Sequence, residues 1–183
     1  MNTRTLEVVD YGSVKRMSLP SGWLETEIVK KHEFDLTSLR EFHHPEQPDV
    51  RLTFYFRPLR IALESGQAFT QTLGLPPHQL APAELEAITD VLQEAADPER
   101  FELANACTED WNGKRVLIVE GRWRAVRADH FQLCVDMDGS GCAVQEIYFW
   151  APADRFRQFL PEAKSALRSI EWRSLQSRGP AQP

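Results

Sequence analysis

Hydrophobic and polar positions alternate most cleanly over "VRLTFYFRP", residues 50–58. Val50, Leu52, Phe54 and Phe56 share one parity, and Arg51, Thr53, Tyr55 and Arg57 take the other. Successive side chains of an extended chain leave opposite faces, so the pattern predicts a half-buried strand. Other strand-length segments are "SVKRMSLP" (13–20), a stretch from Trp23 to about Phe34, "SLREFHHP" (38–45) and "FELANACTE" (101–109). "KRVLIVEGRWRAV" (114–126), "HFQLCVD" (130–136) and "CAVQEIYFW" (142–150) follow with short gaps, which predicts an antiparallel meander. Pro20-Ser21-Gly22 and the Pro45–Pro48 stretch punctuate the first half. Asn112-Gly113 is a hairpin signal, because both central residues of that turn need positive φ.

Helical period appears three times. Phe69 and Leu73 mark a short helix from Ser65, stopped by Gly74 and Pro76-Pro77. Leu85, Ile88, Leu92 and Ala95 form one face of a helix over 81–97, with Pro82 suited to its first turn. A third helix follows Pro152 with Phe156, Phe159, Leu160, Ala163, Leu167 and Ile170; Pro161 within it predicts a kink or a fresh start. Strands, a helical middle, a meander and a final helix give an α+β fold. The expected form is a single antiparallel sheet of about six to eight strands flanked by helices, with the C-terminal helix packed on it. Residues 1–173 read as one domain and 174–183 as a frayed polar tail.

Composition narrows the function classes. A net charge of −6 lacks the clustered positive field of a nucleic-acid binder. No apolar run reaches membrane-spanning length, and the first residues carry no apolar signal region, so a soluble cytoplasmic protein is expected. Cys107, Cys134 and Cys142 then read as reduced thiols, with Cys134 and Cys142 flanking a turn where they could face each other.

That turn, "CVDMDGSGC" (134–142), places Asp136, Asp138, Ser140 and Gly141 like the start of an EF-hand loop. Counting from Asp136, the twelfth position is Ile147, where a bidentate Glu is needed, and strands flank the loop instead of helices. Asp138-Gly139 therefore predicts a tight hairpin with positive φ at both residues, leaving Asp136 and Asp138 as weak calcium candidates. His43 and His44 are adjacent and so point apart on a strand, and His130 reads as turn polarity at a strand start. Zinc spacings, phosphate loops and a nucleophile elbow are missing from the sequence. No cofactor and no catalytic residue is expected. Arg51, Tyr55 and Arg57 share a strand face, and Arg122 and Arg124 share another; Arg and Tyr on a flat face suit a protein interface, unless a helix covers it.

The strand closing on Pro20-Ser21-Gly22-Trp23, the central helix, the meander and the ending over 146–172 together carry a resemblance. In that ending an aromatic strand passes through Ala151-Pro152 into a helix ordered by Phe156 and Phe159, with Ser169-Ile170 before the last aromatic. The chain resembles the PsbP-like superfamily, which includes the extrinsic photosystem II subunit, a Ran-binding nuclear-import factor and uncharacterised bacterial proteins. The resemblance implies an antiparallel sheet flanked by helices and a non-catalytic role in binding another protein.

The first functional expectation is thus an adaptor, chaperone or inhibitor of a partner protein, with Arg51, Tyr55, Arg57, Arg122 and Arg124 as contact candidates. The alternative is a small-ligand or weak calcium-binding module, using the 136–141 turn or a pocket between sheet and helix. A hydrolase working through His43 or His44 stands in reserve.

Overall fold

A computed structural model describes residues 6–26, 38–57 and 60–174. Ten strands run in chain order: β1 (Glu7–Tyr11), β2 (Val14–Ser18), β3 (Leu24–Glu25), β4 (Ser38–His44), β5 (Gln47–Phe56), β6 (Phe101–Trp111), β7 (Lys114–Trp123), β8 (Ala128–Asp136), β9 (Val144–Pro152) and β10 (Glu171–Trp172). The helices are α1 (Leu63–Gly74), α2 (Pro82–Ala87), α3 (Thr89–Leu92) and α4 (Ala153–Leu167). A 3-10 turn over Gln93–Ala96 follows α3.

The main sheet has seven antiparallel strands in the order β3-β4-β5-β9-β8-β7-β6, so the expected six-to-eight-stranded sheet is present. β7 to β9 form the expected meander, β6 extends it by pairing with β7, and β5 joins by pairing with β9. A second sheet, β1-β2-β10, joins the two ends of the described chain and was not visible in the hydrophobic pattern. Of its strands, β2 falls within the segment expected over 13–20, whereas β1 and β10, of five and two residues, are too short to show a period. Of the strand expected from Trp23 to Phe34, β3 is the described part, and residues 27–37 lie outside the described residues.

The sheet divides the core in two. On one face Leu52, Phe54, Phe131, Leu133, Ile147 and Phe149 are fully buried against α4 and the small sheet. α4 contributes Phe156, whose ring lies 5.3 Å from Phe149, together with Ala163 and Leu167. Burying such a side chain contributes about 1.5–3 kcal/mol, enough for a few to hold the helix in place. α4 runs through Pro161 as a single element. Pro161 and Arg157 are both exposed, so the carbonyl that loses its partner lies on the solvent side.

On the opposite face, Leu117, Val119, Cys134 and Val144 lie beneath Phe69, Ile88 and Val91 of the helical middle. The single helix expected over 81–97 is broken twice, at Ile88 (φ −109°, ψ 23°) and at Gln93 (φ 51°, ψ −125°). The Thr89 hydroxyl donates to the Glu86 carbonyl at 2.7 Å, a side-chain bond that competes with helix continuation. The break turns Ile88, Val91 and Leu92 together onto the sheet.

Asn112-Gly113 forms the expected hairpin, with φ of 51° and 81°. Asp138-Gly139 does not: positive φ falls on Gly139 and Gly141, and Asp138 has none. The connection is wider, closed by Met137 N–H donating to the Ala143 carbonyl at 2.9 Å. Its acidity has a structural purpose, because the Asp136 carboxylate accepts the backbone N–H groups of Asp138, Gly139 and Gly141 at 3.0–3.3 Å. The loop then locks onto α1 through glycine on glycine, since a Cβ on Gly141 would come within 1.9 Å of the Gly66 carbonyl oxygen. Ile61 N–H donates to the Cys142 carbonyl at 2.9 Å beside it. Gly141→Ala is therefore expected to cost at least about 2 kcal/mol in urea unfolding, from left-handed backbone and the clash with α1 together. Gly113→Ala, which meets nothing within 4 Å, is expected to cost less.

Candidate functional site

The helical middle covers only part of its face of the sheet. The described residues leave a cleft of about 590 Å³ over the rest, between the sheet and the α3 turn. Strand register builds its floor. Tyr148 stands opposite Gln132 and Thr53, Trp150 opposite His130 and Arg51, and Glu146 opposite Cys134 and Tyr55. Alternate residues of β8 and β9 thus form a grid in which polar and aromatic side chains meet. Leu92 and Ala95 form one wall, and Ala125 and Val126, from the β7–β8 turn, form the other.

The covered and open halves meet at an ion pair. Arg57 Nε donates to Glu146 Oε1 at 2.6 Å, and the same guanidinium donates to the main-chain carbonyls of Asp90 (2.7 Å) and Val91. The Arg57 side chain is 3% exposed and that of Glu146 11%. Burial raises the Glu146 carboxyl, and the Arg57 guanidinium offsets this only in part. A hydrogen-bonded chain of one direction runs beside the pair. Trp123 Nε1 donates to His130 Nδ1 (3.3 Å), His130 Nε2 meets Gln132 Oε1 (2.8 Å), and Gln132 Nε2 donates to Cys134 Sγ (3.0 Å). An indole N–H only donates, so His130 must accept at Nδ1 and donate from Nε2. It is thereby held neutral, and burial lowers its pKa to about 4. Burial also pushes the Cys134 thiol up to about 12 and raises the Tyr148 phenol.

The candidates read from sequence fall in separate places. Arg51, Tyr55 and Arg57 do share one face of β5 and line or border the cleft. Arg51 stacks over Trp150 at 5.1 Å and pairs with Glu41 at 2.9 Å. Arg57 is buried beneath α3, as above. Arg122 lies on the opposite face of the sheet, paired with Asp129 at 2.5 Å and 3.0 Å. Arg124 belongs to the turn beyond β7 and donates to the Pro98 carbonyl at 2.9 Å. The five therefore do not make one continuous surface. Asp136 is committed to the loop backbone, and Asp138 accepts from Ser140 and pairs with Arg60. Among the described residues no group of three His, Cys, Asp or Glu is arranged to hold a metal ion. Cys134 and Cys142 are both buried free thiols. His43 bonds Thr26 at 2.9 Å, while the His44 ring packs 4.9 Å from Phe159.

His130 is corrected from turn polarity to cleft floor. β8 begins two residues before it, at Ala128, so His130 lies inside the sheet and is 3% exposed. The signal was present as alternation, His130-Gln132-Cys134 and Glu146-Tyr148-Trp150, but which members meet depends on register between strands.

No protein-family model matches this sequence, and no curated protein matches it. Solved structures do. The solution structure of cyanobacterial PsbP (CyanoP) from Synechocystis sp. PCC 6803 aligns at a TM-score of 0.55 with 13% identity, over 94% of this chain and 95% of that one. A crystal structure from Bacteroides thetaiotaomicron VPI-5482 aligns at 0.44 with 12% identity, over 90% of this chain and 47% of that one. The chain has the PsbP-like fold. No helix among the described residues is long and apolar enough to cross a membrane.

The buried imidazole makes a pH prediction. In the unfolded chain His130 takes up a proton near its ordinary pKa of 6.5, whereas the folded state resists until about pH 4. Between those values the unfolded state binds more protons, so stability falls as pH falls, by up to about 3 kcal/mol. The raised Glu146 carboxyl works in the opposite sense. Comparing wild type with His130→Gln therefore isolates the imidazole: the wild-type stability in urea should drop more steeply between pH 6.5 and 4. Parallel curves would contradict a neutral buried His130.

Proposed function

We propose that the protein is a non-catalytic binding module whose working site is the cleft on the main sheet, and that its occupant is a small ligand. One observation carries the reading. The buried His130 and Cys134 are hydrogen-bonded and moved away from pH 7, and Glu146 is held in an ion pair, while aromatic surface is left open. His130 has both nitrogens engaged and stays neutral at pH 7, Cys134 is far from a thiolate, and Glu146 is tied to Arg57. General acid–base or nucleophilic catalysis needs the reverse, a group poised near the working pH or activated by a neighbour. The volume, about 590 Å³, suits a small molecule better than one inserted side chain.

A partner protein is the second reading, and the lip of the cleft favours it. Val126 is 67% exposed beside Ala125, offering apolar surface to a segment laid across the opening. An adaptor, chaperone or inhibitor would use that surface.

One purification separates the two. The full chain and an Ala125→Trp variant, which fills the cleft from an exposed wall position, are isolated from native cells and their contents identified by mass spectrometry. The ligand reading expects a small molecule released from denatured wild type and depleted at least about tenfold from the variant. A stoichiometric protein held by wild type and lost from the variant would move the assignment to the partner reading. Identical contents in both would contradict any role for the cleft.

A further inference from the structure

Among the described residues, each of the three carboxylates that line the cleft has an arginine partner. Glu146 belongs to Arg57, Glu41 to Arg51, and Glu94 to Arg100 at 2.6 Å on the rim. Arg51 is further committed to the Pro48 carbonyl at 2.8 Å and to the Trp150 face. Among the described residues the lining holds no lysine or arginine for an anion, and a cation would have to take a carboxylate from its arginine. Displacing Arg57 from the buried Glu146, or stripping an anion of water with no partner, costs several kcal/mol.

The floor, in contrast, is rich in rings: Tyr55, Trp123, His130, Tyr148 and Trp150 all line it. His130 and Tyr148 lie 5.1 Å apart, tilted by 35°, and Trp123 stands edge-on to His130 at 84°. His130 is itself buried, so the surface offered to a guest is that of Tyr55, Trp123, Tyr148 and Trp150. These half-buried rings can meet it face-on or edge-on and so favour an aromatic guest over a globular aliphatic one. Gln132 supplies polarity. Its amide spends one proton on Cys134 and one lone pair on His130, while a primary amide offers two of each. It is 6% exposed and lines the cleft, positioned to bond a hydroxyl or carbonyl.

From these three observations, and resting on the ligand reading above, we propose that the cleft binds a small, uncharged, planar aromatic molecule bearing a hydroxyl or carbonyl group.

Four probes of one skeleton test it by calorimetry on the full chain at pH 7.5. These are 1-naphthalenemethanol (neutral), 1-naphthoate (anionic), 1-naphthylmethylammonium (cationic) and the saturated 1-decalinmethanol. The neutral aromatic alcohol should bind at least about tenfold more tightly than each of the other three. Trp150→Ala should weaken it about tenfold and Trp150→Phe should restore most of the loss, a recovery that simple unfolding would not give. Ala125→Trp, altered at an exposed position, should abolish binding with the fold intact. If a charged probe or the decalin binds best and Ala125→Trp abolishes it, the chemical class is overturned while the cleft remains the ligand site. If no probe binds below about 1 mM, the class is also overturned. The native-cell contents then decide separately whether the cleft reading falls with it.

Discussion

Much of this structure hangs on a buried ion pair at the boundary between two halves of one sheet face. Arg57 reaches from the end of β5 under α3, takes two of its main-chain carbonyls and meets Glu146 on β9. Asp90, whose carbonyl it holds, also accepts from the Ser65 hydroxyl of α1 at 3.0 Å, so the fastening extends to the first helix. Two charges this deep are costly alone and tolerable only together, with their remaining hydrogen bonds supplied. The geometry therefore allows little freedom in where α3 lies. It ends at Leu92, and past it and the 3-10 turn that follows lies the open cleft.

The consequences for function follow from what lies on each side of that border. Beneath the helices the face is dry and aliphatic, with Leu117, Val119 and Val144. Beyond it the same strands present Gln132, His130, Tyr148 and Trp150. The polar atoms of His130 and Gln132 are joined in a chain that begins at the Trp123 indole and ends at the Cys134 thiol. Such a chain satisfies buried groups and fixes ring orientations, the property on which the proposed binding floor depends.

The sequence made the strands of the meander legible because their hydrophobic runs are long, and β5 legible because its alternation is strict. The Pro20-Ser21-Gly22-Trp23 corner and the 146–172 ending pointed to the right fold, as the alignment with CyanoP shows. The 81–97 helix was misread as continuous because period alone does not register the Thr89 back-bond or the left-handed Gln93. The strands flanking the loop at 136–141 were legible, yet its tight-hairpin reading missed that Asp136 gathers three backbone donors. Arg57 shared its parity with Arg51, so it read as an interface candidate unless a helix covered that face, and α3 does cover it there. His130, Gln132 and Tyr148 stayed hidden for a different reason: each is unremarkable on its own strand, and only the register places them together.

Amide hydrogen exchange across α3 tests the ion pair's role most directly. In Arg57→Met, protection at Val91 and Leu92 should fall at least about tenfold more than at Leu117 and Ile118 in the meander, because the cover loses its fastening while the sheet persists. An equal change at all four positions would contradict the account, showing that the pair contributes to global stability without holding the border of the cleft.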